Sequence, residues 1–521
     1  MAEDRRTHGL FVEGHVRILL ISNGFPPREW AGTETYTAGI AQELQSRGYE
    51  VYVLCGGDWQ EGSKYWNGFS DHLEQGVPCR RVHVNWMKAP DPFRYLYDNP
   101  VVASFLRDYL NELQPDLVHV TSCERLSAST LNTVKDAGLP LVLSLTDFWF
   151  LCPRINLLRS DGENCDGRTT PWECLSCQLR HSKAYRWSRR LLPDEALAAV
   201  LTEVSKHPQL TRRRGLRGMA GDMEARKNTL RQVFSRADVR ITASPFVRDV
   251  FMLNGFTDPI IVQPYGHDLT WLNGYAAKAP LDVLRLGYIG QISPAKGVHL
   301  LIEAAKRLPA LQEGRCKLFI YGNPDAHPAY SAQLRRLATD TPNIEFLGTY
   351  PHTESGRIFA NLDVLVVPSQ WYDFPLIIHE AFAARTPVIA TRLGGMAEAV
   401  EHDVSGLLFE HKNVEDLACQ LQRVCEEPGL LHRLQAGAPK VKTIDMEVDE
   451  LIATYRGLVS RDRQLVASEP TSTRAYALLS SMMLGGSWDL CPEWWQNFGW
   501  ALKESMSSVG TLLTAIMQSL V

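Results

Sequence analysis

The sequence predicts an α/β protein made of two doubly wound domains that face each other across a cleft. Three observations carry that expectation. From Val16 onward, short β-branched runs alternate with helical patterns, the signature of parallel sheets flanked by helices. The same alternation restarts at residue 284. The length, 521 residues, is enough for two to four domains at ~150 residues each. Composition agrees: 45% hydrophobic and 22% charged residues describe a globular chain and exclude a disordered one. With 54 basic and 59 acidic residues the formal net charge is −5, so no general basic field exists and no nucleic-acid partner is expected.

The elements follow in order. Residues 1–15, MAEDRRTHGLFVEGH, read as a flexible N-terminus without the apolar stretch of a secretory signal. VRILLIS (16–22) is a buried-strand run, followed by a Pro/Gly loop and a helix, TYTAGIAQELQSRG (35–48), closed by Gly48. YEVYVLC (49–55), DLVHVTS (116–122), PLVLSLT (140–146), ADVRITAS (237–244) and PIIVQPYG (259–266) are the further strands of the first unit. The second unit runs through LRLGYIGQ (284–291), CKLFIYG (316–322), NIEFLGT (343–349), LDVLVVPS (362–369), PVIAT (387–391) and SGLLFE (405–410). The expected division is an N-terminal domain at 16–270 with an insert at 152–231, a C-terminal domain at 271–445, a helix at 446–466 returning to the first domain, and an apolar tail at 467–521. Ligands of such sheets bind beyond the carboxyl ends of the strands, so the cleft is the expected site.

Two segments of the second unit concentrate the chemistry. In GYIGQISPAKGVHLLIEA a strand ends at Gly290, and Lys296-Gly297 open a helix. Backbone N–H groups and a lysine at such a point attract phosphate. Further on, VPSQWYDFPLIIHEAFAARTPVIATRLGGMAEAV has a strand, an acidic turn, Glu380 on a helix, and a second strand leading to Gly394-Gly395.

With these motifs in this order, the sequence resembles the family 4 glycosyltransferases of the GT-B fold, over roughly residues 16–460 and most strongly over 284–410. That family has a Gly-(Arg)-x4-Lys-Gly strand end, a Glu-x7-Glu pair and a Gly-Gly-x-x-Glu loop. The resemblance implies two Rossmann-like domains and retaining transfer of a sugar from a UDP- or GDP-sugar to a glycan, lipid-linked or other envelope acceptor. It implies that Lys296 neutralises the donor diphosphate and Glu380 holds the ribose hydroxyls. Gly290, Gln291, Thr349, Tyr350, Phe374, Pro375, Leu376, Gly394 and Gly395 would complete the donor site, with Asp373 and Asp147 as catalytic acids beside Lys296. No cofactor is required for catalysis. Two departures stand out: Gln291 replaces the family's arginine, and Asp373 lies seven, not eight, positions before Glu380. A nucleotide-sugar epimerase on the same fold, or a non-catalytic nucleotide-sugar-binding subunit, is the alternative reading.

On the acceptor side, the resemblance places Gly32 and Thr33 beside the transferred sugar; a plain connection with Thr33 as N-cap is the alternative. LVLSLTDFWFLCPR matches a family segment that often ends His-Asp, here Thr146-Asp147. His119, at the end of DLVHV, matches a frequent family histidine.

Cys152, Cys165, Cys174 and Cys177 are spaced C-x12-C-x8-C-x2-C in a loop with little apolar material. Four thiolates suit a structural zinc; free thiols are the main alternative. Residues 180–231 hold 13 Lys/Arg against 5 Asp/Glu, and the tail has Trp488, Trp494, Trp495 and Trp500. No run reaches the ~18–20 apolar residues of a membrane span. Together these suggest a cytoplasmic protein with peripheral contact on the inner membrane face; an ordinary solvated helical face, and a tail packed on the N-terminal domain or in a dimer contact, are the alternative readings.

Overall fold

The structure, a computed structural model, describes residues 16–205, 207, 219–273, 278, 283–372 and 376–468. Its first sheet contains β1 (Arg17–Ser22), β2 (Glu50–Gly56), β3 (Trp66–Glu74), β4 (Val77–Val84), β5 (Leu117–Val120), β6 (Leu141–Ser144), β7 (Val239–Thr242) and β8 (Ile261–Val262). The spatial order is β3-β4-β2-β1-β5-β6-β7-β8, parallel throughout except for β3 against β4. The second sheet contains β9 (Leu284–Ile289), β10 (Cys316–Tyr321), β11 (Ile344–Gly348), β12 (Val364–Val367), β13 (Val388–Thr391) and β14 (Gly406–Phe409). Its order, β11-β10-β9-β12-β13-β14, is the doubly wound 3-2-1-4-5-6 arrangement, all parallel.

The near-continuous apolar strands are explained by burial on both faces. Leu19, Ile21, Val118, Val120, Leu141 and Leu143 join one core with helices Pro100–Leu113 and Met219–Arg236. Ile18, Leu20, Val51, Val53, Leu117 and Val142 point the other way, into a core shared with helices Gly32–Ser46 and Ile444–Ser468. Period-two alternation thus splits each strand between two helical layers.

Several details depart from the sequence-based expectation. The β3–β4 hairpin is not evident in the sequence pattern, because β3 is an edge strand whose exposed polar residues mask its alternation; its turn uses Gln75 and Gly76, both at positive φ. The PIIVQPYG run keeps only two strand residues at the sheet's far edge. The first helix begins at Gly32, three residues early, with Ala31 as its N-cap; Thr33 lies inside the helix and is not a cap. The end of the insert is structural: Met219–Arg236 is the crossover helix between β6 and β7, and Leu230 and Phe234 are fully buried. Of the expected tail, residues 469–521 lie outside the described residues, as do 1–15.

The chain passes between the domains twice, and the two passages pair. His267 N–H donates to the Lys442 carbonyl and Ile444 N–H to the His267 carbonyl, each at 3.0 Å. The fully buried Glu447 accepts the Gly266 N–H at 2.5 Å. Burial pushes the Glu447 carboxyl up to about 7, against the pull of the Gly266 N–H. Its folded pKa lies above the ordinary 4.5, so the native state holds the proton more tightly than the unfolded chain. Stability from this group is full below pH 4.5 and is lost as pH rises through 7. Glu447→Gln is therefore expected to flatten the decline of denaturant-measured stability between pH 5 and 8, and an unchanged slope would refute the assignment.

Candidate active site

The expected donor half lies at the switch point of the second sheet, where β9 and β12 are neighbours and their following loops diverge. Gly297 closes the turn after β9 with φ +69°, and a Cβ there would lie 1.9 Å from the Pro368 carbonyl oxygen. Only glycine permits both the left-handed backbone and that approach. The turn Pro294–Lys296 precedes it, and helix Val298–Ala305 follows. Lys296 is half-buried, its Nζ 5.4 Å from the centroid of the Trp371 ring. Gln291 is exposed, and its carbonyl accepts the Tyr288 hydroxyl at 2.6 Å.

Gln370, unremarked in the sequence, holds these two loops together. Its backbone N–H donates to the Ala295 carbonyl and its side-chain amide to the Pro294 carbonyl, both at 2.8 Å. Its own carbonyl accepts Asn164 Nδ2 at 3.1 Å and lies 2.8 Å from His411 Nε2. Asn164 belongs to the Cys-rich insert, and beside it Lys412 bonds to Gly162 and Glu163 at 2.9 and 2.8 Å. The insert therefore braces the loop that presents Lys296.

Glu380 lies on helix Leu376–Ala383, where burial, and secondarily Asp268, push its carboxyl up to about 7. Tyr350, half-buried beyond β11, lies edge-on to Tyr321 at 5.5 Å and feels the Glu380 charge; Thr349 next to it is exposed. Asp373, Phe374 and Pro375 lie outside the described residues. Leu376, which follows them, packs on the core of the first domain, 3.9 Å from where a Gly32 Cβ would be.

The Gly394-Gly395 turn opens helix Gly394–Ala399. Gly394, at φ +51°, leaves room for Phe246 of the first domain: a Cβ would come within 3.2 Å of its ring. Glu398 ends the motif and crosses the cleft, accepting the Ser244 hydroxyl and, at 2.6 Å, the Phe246 N–H. Those groups start helix Pro245–Leu253, so a carboxylate of one domain caps a helix of the other. The Gly-Gly-x-x-Glu spacing was visible in sequence, but the destination of Glu398 was not.

On the acceptor half, Thr146 donates to the Thr121 carbonyl at 2.9 Å, tying the ends of β5 and β6. Asp147 accepts the Trp149 N–H at 2.8 Å, while burial pushes its carboxyl up to about 6. Thr33 is half-buried and its carbonyl accepts the Thr37 hydroxyl at 2.7 Å. His119 does not belong to the cleft. Residues of opposite parity on β5 face different layers, and His119 is enclosed between Tyr455 Oη, 2.6 Å from Nδ1, and Ser144 Oγ, 2.8 Å from Nε2. Burial lowers its pKa to about 3, so it remains neutral.

Among the insert cysteines, Cys165 acts electrostatically on Cys152 and Cys174, and Cys177 acts on Cys174. Backbone N–H groups of Arg154, Gly167 and Ser160 donate to Cys152, Cys165 and Cys177, each at 3.4 Å. Among the described residues, however, no three His, Cys, Asp or Glu side chains are arranged to share a metal ion. No helix among the described residues is long and apolar enough to cross a membrane.

Two Rossmann-like domains, paired by a double crossing and facing a cleft with Lys296 and Glu380 on one side, define a protein of the GT-B fold. Residues 31–266 match the family model described as glycosyl transferase 4-like domain, and residues 277–441 match glycosyl transferases group 1. The chain belongs to the family 4-like glycosyltransferases. It is similar to D-inositol 3-phosphate glycosyltransferase of Thermomonospora curvata, 32% identical over 188 residues, 34% of this chain and 44% of the relative. The Mycobacterium tuberculosis protein of the same name is 30% identical over 264 residues, 46% of this chain and 54% of the relative. The chain thus spans about half the length of the curated relatives it matches. Among solved structures, Anabaena HepE in complex with UDP and glucose superposes with a TM-score of 0.52 at 19% identity, covering 90% of this chain and all (100%) of that one. Sucrose-phosphate synthase from Thermosynechococcus elongatus gives 0.54 at 17% identity, covering 87% and 100%. These likenesses establish the fold.

Proposed function

We propose that the protein is a retaining glycosyltransferase that moves a sugar from a UDP- or GDP-sugar to a glycan, lipid-linked or other envelope acceptor. The observation that carries this reading is the pair of loops at the β9/β12 switch point, which present Lys296 on a turn braced by Gln370. The HepE structure with UDP and glucose, on the same fold, supports a nucleotide-sugar donor. In this reading the Lys296 ammonium offsets the charge that grows on the diphosphate as the anomeric bond loosens. Glu380, close to half-protonated near pH 7, accepts or donates to the ribose hydroxyls. By the family resemblance Asp147 serves the reacting sugar, as does Asp373, which lies outside the described residues, and the acceptor attacks from the face the diphosphate leaves. The cross-cleft contact of Glu398 keeps both reactants in register, which lowers the entropy cost of the encounter.

A thermal-shift screen identifies the donor, since a ligand that binds only the folded state raises its melting temperature. With that donor, Lys296→Ala is expected to lose about 2–4 kcal/mol of transition-state stabilisation in kcat/KM. Glu380→Ala is expected to raise the donor KM. Wild-type kcat/KM in both variants would refute the donor assignment.

The insert cysteines are proposed to close around a structural zinc when the metal is present. Their spacing, their shared neighbourhood and the N–H donors already at three sulfurs support this. Protein purified without added metal is expected to contain close to one zinc per chain, and Cys174→Ser with Cys177→Ser to release it. Four titratable thiols and no metal would overturn the proposal.

Peripheral contact with an anionic membrane is supported by helix Lys183–Leu191, where exposed Trp187 and Leu191 accompany exposed Arg186 and Arg190. The protein is expected to pellet with anionic vesicles, less so in high salt; equal pelleting with neutral vesicles would argue against it.

A further inference from the structure

Lys296 is held by more than its own turn. Its Nζ lies 5.4 Å from the centroid of the Trp371 ring, within the distance at which an indole face attracts an ammonium. Trp371 stands in the loop after β12, between two residues that are fixed from opposite sides. Before it, Gln370 bonds to the Pro294 and Ala295 carbonyls of the turn that carries Lys296. After it, the Tyr372 ring packs on aromatic side chains of the first domain, with centroids 5.0 Å from Phe246 and 6.4 Å from Phe148. Tyr372 also borders Gly394, where a Cβ would come 3.3 Å from its ring.

Trp371 is thus anchored at both of its backbone neighbours, on one side to the Lys296 turn and on the other to the opposite domain. A ring fixed in this way gives up little further freedom when a cation settles on its face. The lysine side chain, by contrast, is long and flexible, and left to itself would spread its charge over many positions. The negative face of the indole confines the ammonium without neutralising it, so the positive charge remains available to a diphosphate.

We propose that Trp371 is a positioning residue for Lys296, whose indole face holds the ammonium in place for the donor diphosphate. This rests on the glycosyltransferase reading and extends it to a residue outside the three motifs. Trp371 acts through Lys296, both on the binding of the diphosphate and on the charge that develops as it leaves.

The experiment measures the calorimetric affinity of the full chain for UDP, GDP and ADP, and carries the tightest of them through a double-mutant cycle of Lys296→Ala and Trp371→Leu. Trp371→Leu alone is expected to weaken binding by about three-fold or more, the scale of such a contact. In the Lys296→Ala background the same substitution is expected to cost less than about two-fold, because the cation it serves is gone. Site-specific replacement of Trp371 by tryptophans of increasing fluorine content keeps the shape of the ring and withdraws electrons from its face. Affinity is expected to fall with each added fluorine, and this series stands in for the cycle if Trp371→Leu fails to fold. A smaller loss in Trp371→Leu, losses that add in the cycle, or affinity indifferent to fluorination would overturn the proposal. Unchanged affinity in Lys296→Ala, or failure of UDP, GDP and ADP alike to bind, would instead overturn the donor assignment on which it rests.

Discussion

Gly297 lies where the Pro368 carbonyl comes so close that a Cβ would stand 1.9 Å from its oxygen. That approach joins the loop after β9 to the loop after β12, and the placement of Lys296 depends on it. The parallel order of the second sheet separates these loops at the switch point, which opens a crevice between them. Gln370 then spans the crevice with two hydrogen bonds. A bulkier residue at 297 would part the loops and move Lys296 with them.

The two domains are held by contacts at different levels of the cleft. At its base the crossings at 266–268 and 442–447 pair through backbone hydrogen bonds, and helix Ile444–Ser468 delivers Val448, Leu451 and Tyr455 to the core of the first domain. Along one side, Glu398 caps a helix of the opposite domain. On another, the Cys-rich insert touches Gln370 and His411 through Asn164. The insert is thereby linked to the Gln370 loop through Asn164.

The halves of the cleft also differ in electrostatics. Lys296 stands on the second domain, while on the first Glu34, Glu124 and Asp147 have carboxyls that burial drives toward neutrality.

Much of this architecture was legible in the chain itself. Strand runs buried on both faces leave an unmistakable apolar pattern, and Gly297, Lys296, Glu380 and Gly394 announce themselves through motif spacing, since their local backbone demands are local in sequence. The β3–β4 hairpin escaped because an edge strand has only one face to bury. His119 resembled a cleft residue, yet its register on β5 turned it toward Tyr455, 336 positions away. The roles of Gln370, Glu398 and Asn164 were likewise decided by segments hundreds of residues apart meeting in space. Periodicity and glycine spacing record what each segment needs from its own backbone; which charges and hydrogen-bond donors it finally meets depends on how the two sheets close upon each other.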